Sequence, residues 1–170
     1  HGVLYHLKIT LTPTPFTLMG LALAIFLGFR NSASYDRFWE GRKLWGSLTN
    51  ASRNLARQAS AYIEVPPGSA AGQLAASEAL QRQLLYAVIA FGHCLRHQLR
   101  DTDPWPDLAR LLPQQQLAGL RRLQNPAAGI LHAMGRDIAT CLRNGWIQAQ
   151  LAQEMDRNIE QMVAVLGGCE

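Results

Sequence analysis

Charge is missing altogether between Ile9 and Phe29, a run of twenty-one residues. A stretch of that length belongs in lipid or inside a protected assembly. Cysteine is scarce: Cys94, Cys141 and Cys169 are an odd number, widely spaced, each in or beside a helical pattern. That spacing excludes a disulfide scaffold and predicts reduced thiols in a cytosolic portion. Acidic residues are outnumbered, with 12 Asp and Glu against 16 Lys and Arg for a net charge of +4. The positives alternate with Trp39, Leu44, Trp45 and acids at helical spacing, so nucleic acid is not an expected partner. No segment alternates with period two, which argues against strands. GxSxG, phosphate-loop, HExxH and paired CxxC patterns are all absent. No catalytic set can be assembled, so neither an enzyme nor a cofactor is expected. The apolar run also lacks a basic leader and a small-residue cleavage site, which excludes a signal peptide.

The uncharged run is long enough to matter. At 1.5 Å per residue, Phe16 to Phe29 covers about 20 Å as a helix, and an extended Thr-Pro-Thr-Pro approach would supply the rest of a roughly 30 Å hydrocarbon layer. Only Lys8 precedes the run, whereas Arg30, Arg37, Arg42, Lys43, Arg53 and Arg57 follow it. This asymmetry places residues after Arg30 in the cytoplasm. The sequence opens at His1 and closes directly after a helical pattern, which reads as a piece of a longer chain, so one span here does not make the parent single-pass. The expected division is therefore an extracytoplasmic approach and membrane helix over residues 1–29, followed by a cytosolic helical region over 30–170.

The helical pattern starting at Phe16 meets no proline until after Ile63, about 70 Å of helix. Its second half is amphipathic, so the helix leaves the membrane and continues into the cytoplasm. Val65-Pro66-Pro67-Gly68-Ser69 ends it. Leu74, Leu80, Leu84, Leu85, Val88, Phe91, Leu95 and Leu99 then predict a second helix over about 73–100. Asp101 to Asp107 reads as a turn, and short helical pieces follow at 107–112 and 114–123. Asn125-Pro126 supplies an N-cap and a first-turn proline for a helix to about Arg143. A last helix runs over about 148–166, stopped by Gly167-Gly168.

Two groups of residues invite a functional reading. His93, Cys94 and His97 share one helix, and two imidazoles four residues apart with a thiolate are a possible zinc set; a pair of hydrogen-bonded packing histidines is the competing account, and no metal is expected. In the apolar helix, Gly20, Ala24 and Gly28 form a stripe of small residues that lets another helix approach closely. About 100° around the same helix, Leu21, Ile25 and Phe29 form a second stripe. In a ring of identical subunits this second stripe would build stacked apolar collars around an axis, a known form of hydrophobic gate; alternatively, it contacts lipid or a neighbouring helix.

The run from Ile25 to Gly46, IFLGFRNSASYDRFWEGRKLWG, strongly resembles the bestrophin channel family and its bacterial homologues, with the block FRNxxSYxRFxExRxLWG following the membrane helix. The TPTPF entry and the Asn125-Pro126 helix fit the same family. The resemblance implies an all-α, bestrophin-like pentameric channel subunit, in which a long transmembrane-to-cytosolic helix joins a cytosolic helical bundle. It implies a homopentamer in the bacterial inner membrane, multi-pass in the parent protein, with identical subunits, membrane lipid and small monovalent ions as partners. Eukaryotic members pass anions such as chloride, and bacterial ones are associated with cation permeation. Leu21, Ile25 and Phe29 match the family's apolar neck, and Ile138 is the matching candidate for a lower cytosolic aperture. Nothing here matches the calcium clasp of eukaryotic members. A non-conducting, membrane-anchored helical scaffold is the alternative function.

Overall fold

The computed structural model describes residues 13–169, with side chains from Phe16 onward. Its elements are α1 (Pro13–Tyr62), α2 (Ala71–Arg100), α3 (Trp105–Leu108), α4 (Gln114–Leu120), α5 (Pro126–Arg143) and α6 (Ala149–Cys169). Among the described residues there is no strand, as the lack of period-two alternation predicts. The chain divides between Gly41 and Arg42 into two compact units.

In the first unit, α1 begins at Pro13 rather than after Pro15. The first four N–H groups of a helix have no intrahelical acceptor, so both prolines sit in the first turn without losing a bond. Ile9 to Thr12, the start of the uncharged run, lie outside the described residues. Every described side chain from Phe16 to Glu40 is exposed. Helix α1 continues through Arg30, where charge first appears, without a break.

In the second unit the remainder of α1 buries Leu48, Ala51, Leu55, Ala59 and, just past its end, Ile63. These recur every three or four residues and so form one stripe of the helix. Helix α2 contributes Leu84, Val88, Phe91 and Leu95 from the predicted set, while Leu74 and Leu99 near its ends are exposed. Helix α5 packs against both α2 and α6. Its buried face carries Ile130, Met134, Ile138 and Cys141, and α6 adds Met155, Ile159, Met162 and Leu166. Each fully buried aliphatic or aromatic side chain contributes about 1.5–3 kcal/mol of transfer free energy. One polar pair lies inside this apolar core: Asn158 Nδ2 of α6 donates to Gln58 Oε1 of α1 at 2.7 Å, and both residues are buried. Cys94 and Cys141 are buried and unbridged, and burial pushes each thiol up to about 11, so they pack as small neutral groups.

The connections depart from the sequence expectations in three places. Helix α3 starts at Trp105, two residues early, because Asp103 Oδ1 accepts the Trp105 N–H at 3.1 Å and Pro106 falls in a first turn that needs no donor. Helix α4 stops at Leu120, leaving room for Asn125 to adopt an extended backbone and accept the Ala128 N–H with its side chain at 3.0 Å. Helix α6 passes through Gly167 and Gly168 to Cys169. At Gly168 the glycine serves packing and not capping: a Cβ there would lie 3.0 Å from Leu44 Cδ2.

Two helices end with a left-handed residue. After α5, Gly145 has φ 70°, with Gly145 N–H donating to Leu142 O at 3.1 Å and Trp146 N–H to Cys141 O at 2.9 Å. This paired reversal is the Schellman motif, for which glycine is the unstrained choice. After α2 the same motif falls on Asp101, with φ 51°, Asp101 N–H donating to Gln98 O at 3.4 Å and Thr102 N–H to His97 O at 3.0 Å. A side chain in this region is strained, and a negative charge opposes the helix dipole. Replacing Asp101 with glycine is therefore expected to raise stability by about 1 kcal/mol, after the entropy that glycine gains in the unfolded chain is subtracted. Urea unfolding of the two proteins measures it, and a destabilised variant would contradict the strain.

Candidate functional site

Among the described residues, one helix is long and apolar enough to cross a membrane, and it is α1, whose most apolar window has a mean hydropathy of 1.4 and no buried residue. A continuous helix satisfies all its interior backbone groups, which a hydrocarbon environment requires. Gly20, Ala24 and Gly28 lie on one line of this helix, and a Cβ added at either glycine would meet nothing within 4 Å. The small-residue stripe thus meets no partner side chain among the described residues. Leu21, Ile25 and Phe29 are 58%, 52% and 73% exposed. Successive members are about 6 Å apart along the axis, so the three form rows at three heights.

Both histidines of α2 are engaged in hydrogen bonds. His93 Nδ1 and His97 Nε2 both lie 3.1 Å from Asp107 Oδ2 at the start of α3. Arg96 Nη2 donates to the same oxygen at 2.7 Å and sits 2.7 Å from His97 Nε2. A guanidinium therefore occupies the space among the three groups that a cation would need. Among the described residues no group of three His, Cys, Asp or Glu is placed to hold a metal. Thr102 Oγ1 contacts His97 Nδ1 at 2.7 Å, so the cluster joins α2 to the turn that follows it. The sequence reading identified both histidines and placed Asp107 where a turn gives way to a helical piece, but spacing alone does not show that its carboxylate returns to α2.

Hydrogen bonds from His97, and then from His93 and Arg96, hold the Asp107 carboxyl well below its usual 3.8, at about 2. A depressed carboxyl contributes stability that is fully present above its unfolded value and is lost as pH falls through the folded one. Wild type should therefore lose stability between about pH 4 and pH 2. Asp107→Asn should show a shallower acid limb over that interval in pH-dependent thermal melts. Superimposable limbs would show that the carboxylate is not held by this cluster.

Ile138 does not suit an aperture. It is 5% exposed within the core, and a side chain buried within its own subunit cannot line an opening. The sequence reading also missed a cleft of about 1050 Å³ bounded by α2, α4 and α5. At its wall Gln83 Nε2 donates to both carboxylate oxygens of Asp137, at 3.0 and 3.2 Å. Burial pushes the Asp137 carboxyl up, opposed by the Gln83 hydrogen bond and the charge of Arg136.

Comparison with known proteins agrees with the helix and its flanks. A family model described as bacterial and fungal bestrophin protein matches residues 1–170. The chain is 40% identical over 164 residues to the voltage-dependent anion channel-forming protein RSc3414 of Ralstonia nicotianae, covering 96% of this chain and 51% of the relative. It is 39% identical over 165 residues to the voltage-dependent anion channel-forming protein YneE of Escherichia coli K12, covering 97% and 50%. The crystal structure of a bacterial bestrophin homologue from Klebsiella pneumoniae with a Y211A mutation superposes with a TM-score of 0.83 at 40% identity, over 96% of this chain and 58% of that one. The chain spans about half the length of the curated relatives it matches. An all-helical chain with these matches, one of them along its whole length, belongs to the bacterial and fungal bestrophin family.

Proposed function

We propose that the chain forms part of a subunit of a homopentameric ion channel, with Leu21, Ile25 and Phe29 lining an apolar neck on the ring axis. The observation that carries this reading is the exposure of every described side chain in the first part of α1. Its two stripes, one of small residues and one of large apolar ones, are both exposed in the single chain. Gly20, Ala24 and Gly28 would pack against neighbouring helices, which leaves the second stripe to face the axis. The subunit sits in the inner membrane with residues after Arg30 in the cytoplasm, following the arginine excess there. Small monovalent ions pass passively, and the protein is neither an enzyme nor dependent on a cofactor.

The relatives are named for anion channels, and the same ion class is testable for this protein. The full-length protein, reconstituted in a planar bilayer under a sodium chloride gradient, should carry current. A reversal potential toward the chloride equilibrium value extends the relatives' anion selectivity to this protein, and one toward sodium assigns cations. Absence of current at every gradient, with the oligomer intact, would leave the membrane-anchored scaffold as the function.

A further inference from the structure

The cleft between α2, α4 and α5 has no part in conduction as proposed above, yet its walls are built for a ligand. Its volume of about 1050 Å³ is far larger than a bare ion needs and lies at the upper end of the range for small-molecule sites. Two guanidiniums line it, Arg136 and Arg143, two turns apart on α5, against one acid, Asp137. The excess of positive charge selects an anion. Arg143 is engaged with Thr140 Oγ1 at 2.9 Å, whereas Arg136 donates no hydrogen bond among the described residues, and its charge acts on the Asp137 carboxyl. Its five donors in a planar fork match a carboxylate.

Asp137 narrows the choice further. Among the described residues its two oxygens accept from Gln83 alone, although a carboxylate has about four acceptor sites. A half-buried carboxylate with spare capacity favours a ligand that brings an N–H or O–H donor. It also disfavours a multiply charged phosphate, whose second charge would lie against it. We propose that this cleft binds a small organic acid with a donor beside its carboxylate, an amino or hydroxy acid, with the carboxylate on Arg136 and the donor on Asp137.

Isothermal titration of the full-length protein in detergent, with L-malate, L-aspartate and succinate as probes, tests the assignment. The three share a four-carbon diacid frame, and only the first two carry a donor. L-Malate or L-aspartate should bind saturably and more tightly than succinate. Arg136→Gln should weaken all binding by about tenfold or more, the loss expected for one charge-assisted hydrogen bond. Asp137→Asn should bring the affinity for the donor-bearing acids down toward that for succinate. No saturable binding up to about 10 mM, well past the millimolar class, would overturn the proposal, and this is also the result expected if a neighbouring subunit covers the cleft. Equal affinity for succinate, or an unaffected Arg136→Gln protein, would overturn it too. Should Asp137→Asn lower the melting temperature, Arg136→Gln decides alone, because its side chain is exposed. The readout is independent of current, so failure here leaves the channel proposal standing, and the reverse also holds.

Discussion

Replacing Phe29 with alanine should raise the ion flux through the reconstituted full-length protein by about tenfold, equivalent to a barrier lower by 1.4 kcal/mol. The argument rests on what a ring of apolar side chains does to water. A narrow collar offers no hydrogen bonds, so an ion must shed hydration to pass, and the collar gates by dewetting. Phe29 is the largest and most exposed of the three proposed neck residues, at 73% against 58% for Leu21 and 52% for Ile25. Its truncation widens the opening most, and Ile25→Ala and Leu21→Ala should have smaller effects of similar size to each other. The substitutions report on the pore and not on folding, since no described side chain from Phe16 to Glu40 is buried in the subunit. Single-channel recording on all three variants provides the check. Currents identical to wild type throughout would remove these residues from the neck.

The opposite kind of site is Phe91. It is 0% exposed on α2 and belongs to the core shared with α5 and α6. Phe91→Ala should cost about 3–5 kcal/mol, the range for removing a buried aromatic ring whose cavity the surroundings cannot fully close. Against a typical domain stability of about 5–15 kcal/mol, that loss brings the helical unit close to unfolding. Denaturant unfolding of the purified variant measures it, and a loss below about 1 kcal/mol would mean that the core collapses freely around the missing ring. The comparison of Phe29 with Phe91 separates the two uses of an apolar side chain in this protein. Phe29→Ala should alter transport and spare stability, whereas Phe91→Ala should act first on stability.

Much of the architecture is legible in the sequence because its helices carry their apolar residues on one stripe. Leu48, Leu55, Phe91, Met155 and Met162 fall where a period of 3.6 places them, and Asn125-Pro126 marks the start of α5. The same pattern explains the failure at Ile138. Ile130, Met134, Ile138 and Cys141 are spaced by four, four and three, so Ile138 is one member of a core stripe. Periodicity states that a residue is apolar on a given face and does not state which wall that face meets. The His93, His97 and Asp107 cluster was half visible. Two histidines one turn apart are evident, but their partner comes from beyond the turn at the left-handed Asp101, and spacing does not say where the returning chain lands. Gly167-Gly168 misled for a related reason: glycine signals both chain reversal and close approach, and here Leu44 makes it the latter. The cleft at Asp137 is a product of three elements meeting, so no local pattern announces it.

The buried amide pair of Gln58 and Asn158 has a consequence for how the subunit can move. Apolar contacts are non-directional, whereas a hydrogen bond demands a set distance and angle. The 2.7 Å bond between the two buried amides therefore adds a directional constraint to the packing of α1 on α6. Sliding α1 along α6 by one turn would leave Gln58 Oε1 without its donor, at about 1–3 kcal/mol, while Asn158 Nδ2 keeps its 3.1 Å bond to Glu154 O. The pair acts as a key in a lock, favouring the one register of α1 on α6 that sets Gln58 opposite Asn158.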